Sequence, residues 1–299
     1  MSVIEVNQIS KSFGSMKAVD DVSFSVERGE IFGLLGPNGA GKTTSIRIML
    51  DIYKPDSGTV SLLGGAVNED TKKQIGYLPE ERGLYQDIPL ETCLLYLASL
   101  KGISRPEARE RLQQYLERFD LAQYRKKKVK ELSKGMQQKA QLIATLIHQP
   151  DLIFIDEPFT ALDPVNTQMV KDIFRQERER GVTIVMCTHQ MHQVEALCDR
   201  IALINRGQLV LYGKLADIRR QYATQAVMVR SLLPLPAALP GVASQEVQNG
   251  ETRLHLVEGV TADQLLHTLV AHNISLERFA VAAPSLEEIF IQVVNEEAN

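Results

Sequence analysis

The order of apolar and polar runs predicts an α/β fold with a mixed, mainly parallel sheet, followed by a small α+β domain. Three observations carry this. Leu152-Ile153-Phe154-Ile155 and Val182-Thr183-Ile184-Val185-Met186 are continuous apolar runs of strand length, the mark of strands buried on both faces. A stretch rich in Gln, Lys, Arg and Glu, about residues 166–180, separates them and reads as the crossover helix of a parallel pair. A third apolar run, Ile31-Phe32-Gly33-Leu34-Leu35, ends in a glycine-rich turn and then a helical pattern.

Before that run, Ile4-Glu5-Val6 and the alternating Val22-Ser23-Phe24-Ser25-Val26 predict an antiparallel N-terminal β part. Pro55-Asp56-Ser57-Gly58 is a turn into the strand Thr59–Leu63. Residues 82–150 are charged, periodic and helical, an insertion into the α/β core. Ser104-Arg105-Pro106-Glu107 predicts a capping box opening a helix that buries Leu112, Tyr115, Leu116 and Phe119. A second helix from near Ser133 carries the stripe Met136, Ala140, Ile143, Ala144, Ile147. Ile201 to Leu211 predicts a hairpin turning at Asn205-Arg206-Gly207.

Composition shifts after about residue 215. Residues 232–241 hold three prolines and form no regular element. Strands are expected at 225–231, 252–257 and 276–282, and helices at 262–272 and after Ser285, with Glu288 three residues on. The expected domains are 1–215 and 216–299.

The 299 residues are 44% hydrophobic and 23% charged, with net charge −4 and pI about 5.9. That lacks the basic excess of a nucleic-acid binder, and no nucleic-acid partner is expected. No run approaches the ~18 apolar residues of a membrane span, and no secretion signal is evident. Three cysteines are too few for a disulfide framework and suit a reducing cytosol.

The chemistry begins at residues 36–44. Gly36-Pro37-Asn38-Gly39-Ala40-Gly41-Lys42-Thr43-Thr44 fits G-x-x-x-x-G-K-[ST], placed after a buried strand and opening a helix. Its glycines let the backbone curl so that N–H groups converge on phosphate oxygens at a helix N-terminus. Lys42 can reach β- and γ-phosphates and Thr43 can ligate Mg²⁺, so a nucleoside triphosphate ligand is expected. Asp156 and Glu157 end the strand 152–155: the first can hold Mg²⁺, and the second can polarise an attacking water. The alternative is two acids capping the turn at Pro158. Cys187, His189, His192 and Cys198 do not fit a structural zinc spacing.

Taken with Phe13, Gly76-Tyr77-Leu78-Pro79-Glu80-Glu81, Leu132-Ser133-Lys134-Gly135-Met136-Gln137-Gln138, Ala161-Leu162-Asp163 and His189, in this order, the chain resembles the ATP-binding subunits of ABC transporters over residues 1–215. The tail, Pro284 to Phe290, looks like the small C-terminal domain of bacterial sodium-export, drug-export and antibiotic-resistance ATPases. The resemblance implies a P-loop NTPase core with ATP and Mg²⁺ as ligands. It implies that Phe13 stacks on adenine, with a strand-packing role and Phe24 or Phe32 as alternatives. It implies that His189 contacts the γ-phosphate, where a core-edge histidine is the alternative. Ser133, Lys134, Gly135 and Met136 would act in trans on the nucleotide of a second copy, with Asp163 in the dimer loop. Separate transmembrane permease subunits would dock near Glu80-Glu81-Arg82-Gly83-Leu84-Tyr85, placing the chain on the inner face of the cell membrane. Three positions depart from the family pattern: Lys134 for Gly, Met136 for Gln, and Glu80 for Gln. Glu80 can ligate Mg²⁺ but cannot donate as an amide does. The basic run Arg125–Lys130 is a solvated face or a lipid headgroup contact. A soluble relative acting on ribosomes or DNA, or an importer ATPase, would share the catalytic residues.

Overall fold

Ile31–Leu35 and Leu152–Ile155 carry no exposed side chain, and around them the chain builds its central sheet. The computed structural model describes residues 2–81, 83–222, 226–248, 250–282 and 284–297. The chain divides into two compact units, Met1–Lys214 and Leu215–Asn299.

In the first unit, β1 (Ser2–Phe13), β2 (Met16–Glu27) and, later, β4 (Ser57–Leu62) form an antiparallel sheet of order β2-β1-β4. β3 (Ile31–Leu35) leads through the phosphate-loop sequence to α1 (Lys42–Met49). After β4 come α2 (Glu69–Lys73), β5 (Ile75–Leu78), α3 (Leu90–Leu100), α4 (Arg105–Arg118) and α5 (Lys134–Leu146). β6 (Leu152–Asp156), α6 (Pro164–Glu179), β7 (Thr183–Thr188), α7 (Met191–Leu197), β8 (Arg200–Asn205) and β9 (Gln208–Lys214) complete it. The central sheet runs β5-β6-β7-β3-β8-β9, parallel except for β9. Parallel neighbours bring the C-terminal ends of β3, β6 and β7 together, where an open α/β sheet binds its ligand.

Two features of the helical insertion differ from the sequence expectation. α4 starts after Ser104, but the Ser104 side chain caps nothing; Glu107 instead pairs with Arg111 one turn on. α5 is buried on nearly every side, so Gln137, Gln138, Lys139 and Gln141 are buried while Met136 and Ala144 are only half-buried. The amides of Gln137, Gln138 and Gln141 donate to backbone carbonyls of Leu132, Pro158 and Glu81, which offsets their burial. The basic side chains of residues 125–130 are exposed, and Lys130 pairs with Asp87 at 2.6 Å.

The second unit holds α8 (Leu215–Gln221), β10 (Ala226–Ser231), β11 (Val242–Gln248), β12 (Glu251–Leu256), α9 (Ala262–Ala271), β13 (Leu276–Val281) and α10 (Leu286–Glu297). Its sheet is antiparallel, of order β11-β12-β10-β13. Val227, Val229 and Leu254 pack with Leu265 and Leu269 of α9. The strand β11 is absent from the sequence expectation. Ser285 and Glu288 form a reciprocal cap at α10, and Thr261 and Gln264 do the same at α9. Gln225, expected to open a strand, and Arg82, expected near a membrane partner, lie outside the described residues.

Candidate nucleotide site

The loop after β3 owes its shape to glycines that have no room for a side chain. Gly36 has φ 145°, and a Cβ there would lie 2.1 Å from the Ile204 carbonyl oxygen. Gly41 has φ 108°, and a Cβ would lie 2.2 Å from the Ala18 oxygen. Gly207, in the β8–β9 turn, closes the back of this packing: its N–H donates to Ala40 O (2.9 Å), and its carbonyl accepts from Asp20 N–H (2.8 Å). The loop is thus clasped between β2 and the β8–β9 turn.

Lys42 Nζ donates to the Gly36 and Pro37 carbonyls, at 2.8 and 2.9 Å, so the ammonium lies within the curl of the loop. Thr43 Oγ1 donates to Asp156 Oδ2 at 2.8 Å. Asp156 ends β6 beside Cys187 of β7, whose thiol is buried. Burial, reinforced by the Asp156 charge, pushes the Cys187 thiol well above its ordinary range.

Glu157 holds a left-handed backbone, φ 51°, an uncommon conformation for a residue with a side chain. Its N–H donates to Cys187 O at 2.9 Å. Its carboxylate accepts from Thr188 Oγ1 (3.0 Å), His189 N–H (3.0 Å) and His189 Nδ1 (2.6 Å). A carboxylate has about four acceptor sites, so one remains beyond these three.

These groups share one cavity of about 420 Å³, walled by Asn38, Gly39, Gly41, Lys42, Thr43, Thr44, Glu80, Asp156, Glu157 and His189. Met16 and Ala18 complete the wall, and sequence reasoning missed both. No local motif marks them; they arrive through the β1–β2 pairing, in which Met16 opposes Phe13. The nearest available signal was that pairing itself, since a strand turning just after Phe13 must place its next residues beside it.

Phe13 stands at the end of β1, outside the cavity wall, 43% exposed and edge-on to Tyr53 at 5.5 Å. Phe24 and Phe32 stack on each other in the core. Ser133, Lys134, Gly135 and Met136 lie apart from the cavity at the start of α5. Ser133 accepts Met136 N–H as the helix cap (3.2 Å), and Ser133 and Lys134 are exposed. A Cβ on Gly135 would lie 2.9 Å from the Ala161 oxygen, so the glycine also serves packing against the loop after Glu157. Asp163 caps α6 by accepting from Asn166 N–H (2.8 Å), and its bonds to Asn166 lower its carboxyl below the usual range. His192 bonds Gln193, and Cys198 packs toward Gly33, so neither joins His189.

The sequence model of ABC transporters matches residues 19–160, and that of the C-terminal domain of DrrA1-3-like ATP-binding proteins matches residues 213–294. The uncharacterized ABC transporter ATP-binding protein YhaQ of Bacillus subtilis is 37% identical over 98% of both chains. The chain belongs to the ATP-binding subunits of ABC transporters. The linearmycin resistance ATP-binding protein LnrL of the same organism is 31% identical, over 97% of this chain and 98% of that one. A solved ATP-binding subunit of an ABC transporter superposes with a TM-score of 0.70 at 32% identity, covering 74% of this chain and 93% of the other. As an ABC ATPase the chain binds nucleotide and hydrolyses ATP, and subunits of this family work with transmembrane components, typically as dimers. No helix among the described residues is long and apolar enough to cross a membrane.

Proposed function

We propose that this ABC ATPase powers export through separate permease subunits on the inner face of the cell membrane. Two copies close on ATP, and hydrolysis resets them. The observation that carries the catalytic part is the convergence of Lys42, Thr43, Asp156, Glu157 and His189 on one cavity. Export draws its support from the end-to-end likeness to a protein named for linearmycin resistance.

In this reading the loop N–H groups and Lys42 bind the β- and γ-phosphates, exchanging the ammonium's bonds to Gly36 and Pro37 for bonds to phosphate oxygen. Glu157 orients and polarises the attacking water with its remaining acceptor site, and His189, held by that carboxylate, meets the γ-phosphate. Phe13 stacks on the adenine. The oxygen donors Thr43 and Asp156, 2.8 Å apart, with Glu80 on the same wall, fit a hard divalent cation. Mg²⁺ held there would supply charge neutralisation for the triphosphate. Ser133, exposed at a helix N-terminus, and the half-buried Gly135 beside it would meet the nucleotide of the second copy. Asp163 lies in the loop that faces it.

The test is reconstitution. The chain is co-expressed with a neighbouring reading frame encoding about six apolar spans, and the complex is placed in vesicles with the ATPase outside. ATP-dependent accumulation of a lipophilic drug inside the vesicles is the export result. ATP-driven loss of preloaded drug, or ATPase activity stimulated only by ribosomes or DNA, overturns the reading.

A further inference from the structure

The strand that carries Phe13 outruns part of the sheet that supports it. Among the described residues the β1–β4 ladder ends at the pair Ser10–Ser57, while the ladder with β2 continues to Phe13. Asp56, the residue before β4, takes over on the side that β4 leaves. Its own N–H donates to Ser10 O at 2.8 Å. One carboxylate oxygen accepts Ser12 N–H and the other accepts from Lys11 Nζ, each at 2.7 Å. A side chain thus continues the sheet edge, and it holds Ser10, Lys11 and Ser12, the three residues just before Phe13. The bond from Lys11, and next that from Ser12, keep the Asp56 carboxyl below the usual carboxylate range.

Lys11 carries the contact onward. Its ammonium lies over the Phe13 ring, 5.9 Å from the centroid, within the reach of a cation–π attraction. The Lys11 side chain is only 19% exposed, so its pair with Asp56 is less screened than an ordinary surface pair. Tyr53 also meets the ring, with centroids 5.5 Å apart and planes at 70°, the edge-to-face arrangement of an attractive aromatic pair. A partly exposed ring at a strand end has little core packing to fix its rotamer, and these contacts supply the constraint.

We propose that Asp56 and Lys11 are positioning residues for the nucleotide base. Asp56 anchors the overhanging end of β1, and Lys11, pinned by Asp56, sets the orientation of the Phe13 ring. The inference rests on the reading of Phe13 as the adenine-stacking residue. It assigns neither Asp56 nor Lys11 a contact with nucleotide. Because both act at the base end, their loss weakens ligands that carry a base and spares ligands made of phosphate alone.

The experiment is titration calorimetry on the full chain with two probes: ADP, and inorganic pyrophosphate, which has the phosphates but no base. Asp56→Ala and Lys11→Met are each expected to weaken ADP binding about threefold to tenfold. Lys11→Arg, which keeps a cation able to pair with Asp56 and to lie over the ring, should stay near the wild type. Phe13→Ala should lose at least as much affinity for ADP, and Phe13→Ala/Asp56→Ala no more than Phe13→Ala alone. Pyrophosphate affinity should be the same in every variant. Lys11→Met tests the clamp without touching the β1 backbone bonds, should Asp56→Ala not fold. Additive losses in the cycle, or a parallel weakening of pyrophosphate, would show an effect on the fold at large and overturn the proposal. So would unchanged ADP affinity in Asp56→Ala and Lys11→Met while Phe13→Ala loses it, or a Lys11→Arg chain as weak as Lys11→Met. Unchanged ADP affinity in Phe13→Ala overturns the base-stacking reading itself, and the clamp with it.

Discussion

Glu157 grips His189 from two directions: one carboxylate oxygen, Oε1, accepts both the backbone N–H and Nδ1 of the same residue, at 3.0 and 2.6 Å. The histidine is therefore placed by the group it works beside. Glu157→Gln keeps the shape and one carbonyl acceptor but loses the basic carboxylate. It is predicted to bind ATP, to lose about 10²-fold or more of turnover, and to accumulate as an ATP-bound dimer. His189→Ala, which leaves the carboxylate in place, should retain more activity than Glu157→Gln. Single-turnover hydrolysis with size-exclusion chromatography in ATP checks both. Equal losses in the two variants would count against separate roles.

Gly36→Ala is predicted to destabilise the fold as well as to stop nucleotide binding. The added Cβ meets a backbone oxygen at 2.1 Å, and φ 145° disfavours any side chain. Strain and overpacking together cost at least about 2 kcal/mol. Chemical denaturation beside a nucleotide-binding assay is the check. Gly39→Ala is the control for the clash: it shares a left-handed backbone, φ 78°, but beyond its chain neighbours no atom lies within 4 Å of its Cβ position. It should lose far less stability.

The exposed Ser133 gives a prediction about assembly. Ser133→Arg forfeits a helix cap worth about 1 kcal/mol and should still fold. Nucleotide binding to the monomer should persist, while ATP-driven dimerisation and hydrolysis disappear. Analytical ultracentrifugation with and without ATP measures this. Hydrolysis at an undiminished rate by a species that stays monomeric would refute the shared site.

His148 sets a pH dependence. Burial, and next the nearby Lys101 charge, depress its pKa from 6.5 to about 4, while its Nε2 lies 3.1 Å from Ile75 O. Because the folded group is depressed, the unfolded chain binds the extra proton. The stability linked to His148 is therefore complete above pH 6.5 and lost as pH falls toward 4, about 3 kcal/mol in all. His148→Gln should lose that much less stability than the wild type between pH 7.5 and 4, as read by urea titrations. Parallel curves for the two proteins would refute it.

What could be read from the sequence depended on how local its cause was. The loop from Gly36 to Thr44 was legible because its glycine spacing, the preceding strand and the following helix are all contiguous. Asp156 and Glu157 were legible because a buried strand ended on them. Met16 and Ala18 were not, since their place in the cavity wall comes from sheet pairing rather than from a motif. β11 escaped because it is a polar edge strand whose Val247 is 79% exposed, leaving little alternation to detect. The Glu107 half of the expected Ser104 capping box was lost to competition, because the Arg111 guanidinium lies within its reach. On α5, periodicity revealed one apolar face, but burial of the glutamines follows from the carbonyls that surround them.

The meeting of Gly41, Ala18 and Gly207 has a practical consequence for exchanging parts among relatives. The catalytic loop carries no independent shape that could be transplanted alone. Its rear surface is moulded against the β8–β9 turn, more than 160 residues downstream, and against the carbonyl edge of β2. A chimera that imports residues 36–44 from a distant homologue while keeping its own residues 204–208 would force an unmatched surface into that seam. Grafting the two segments as one cartridge, with residues 17–20, keeps the seam native. Variation at Gly207 will accordingly masquerade as a defect in phosphate binding, although the residue touches no phosphate-binding side chain.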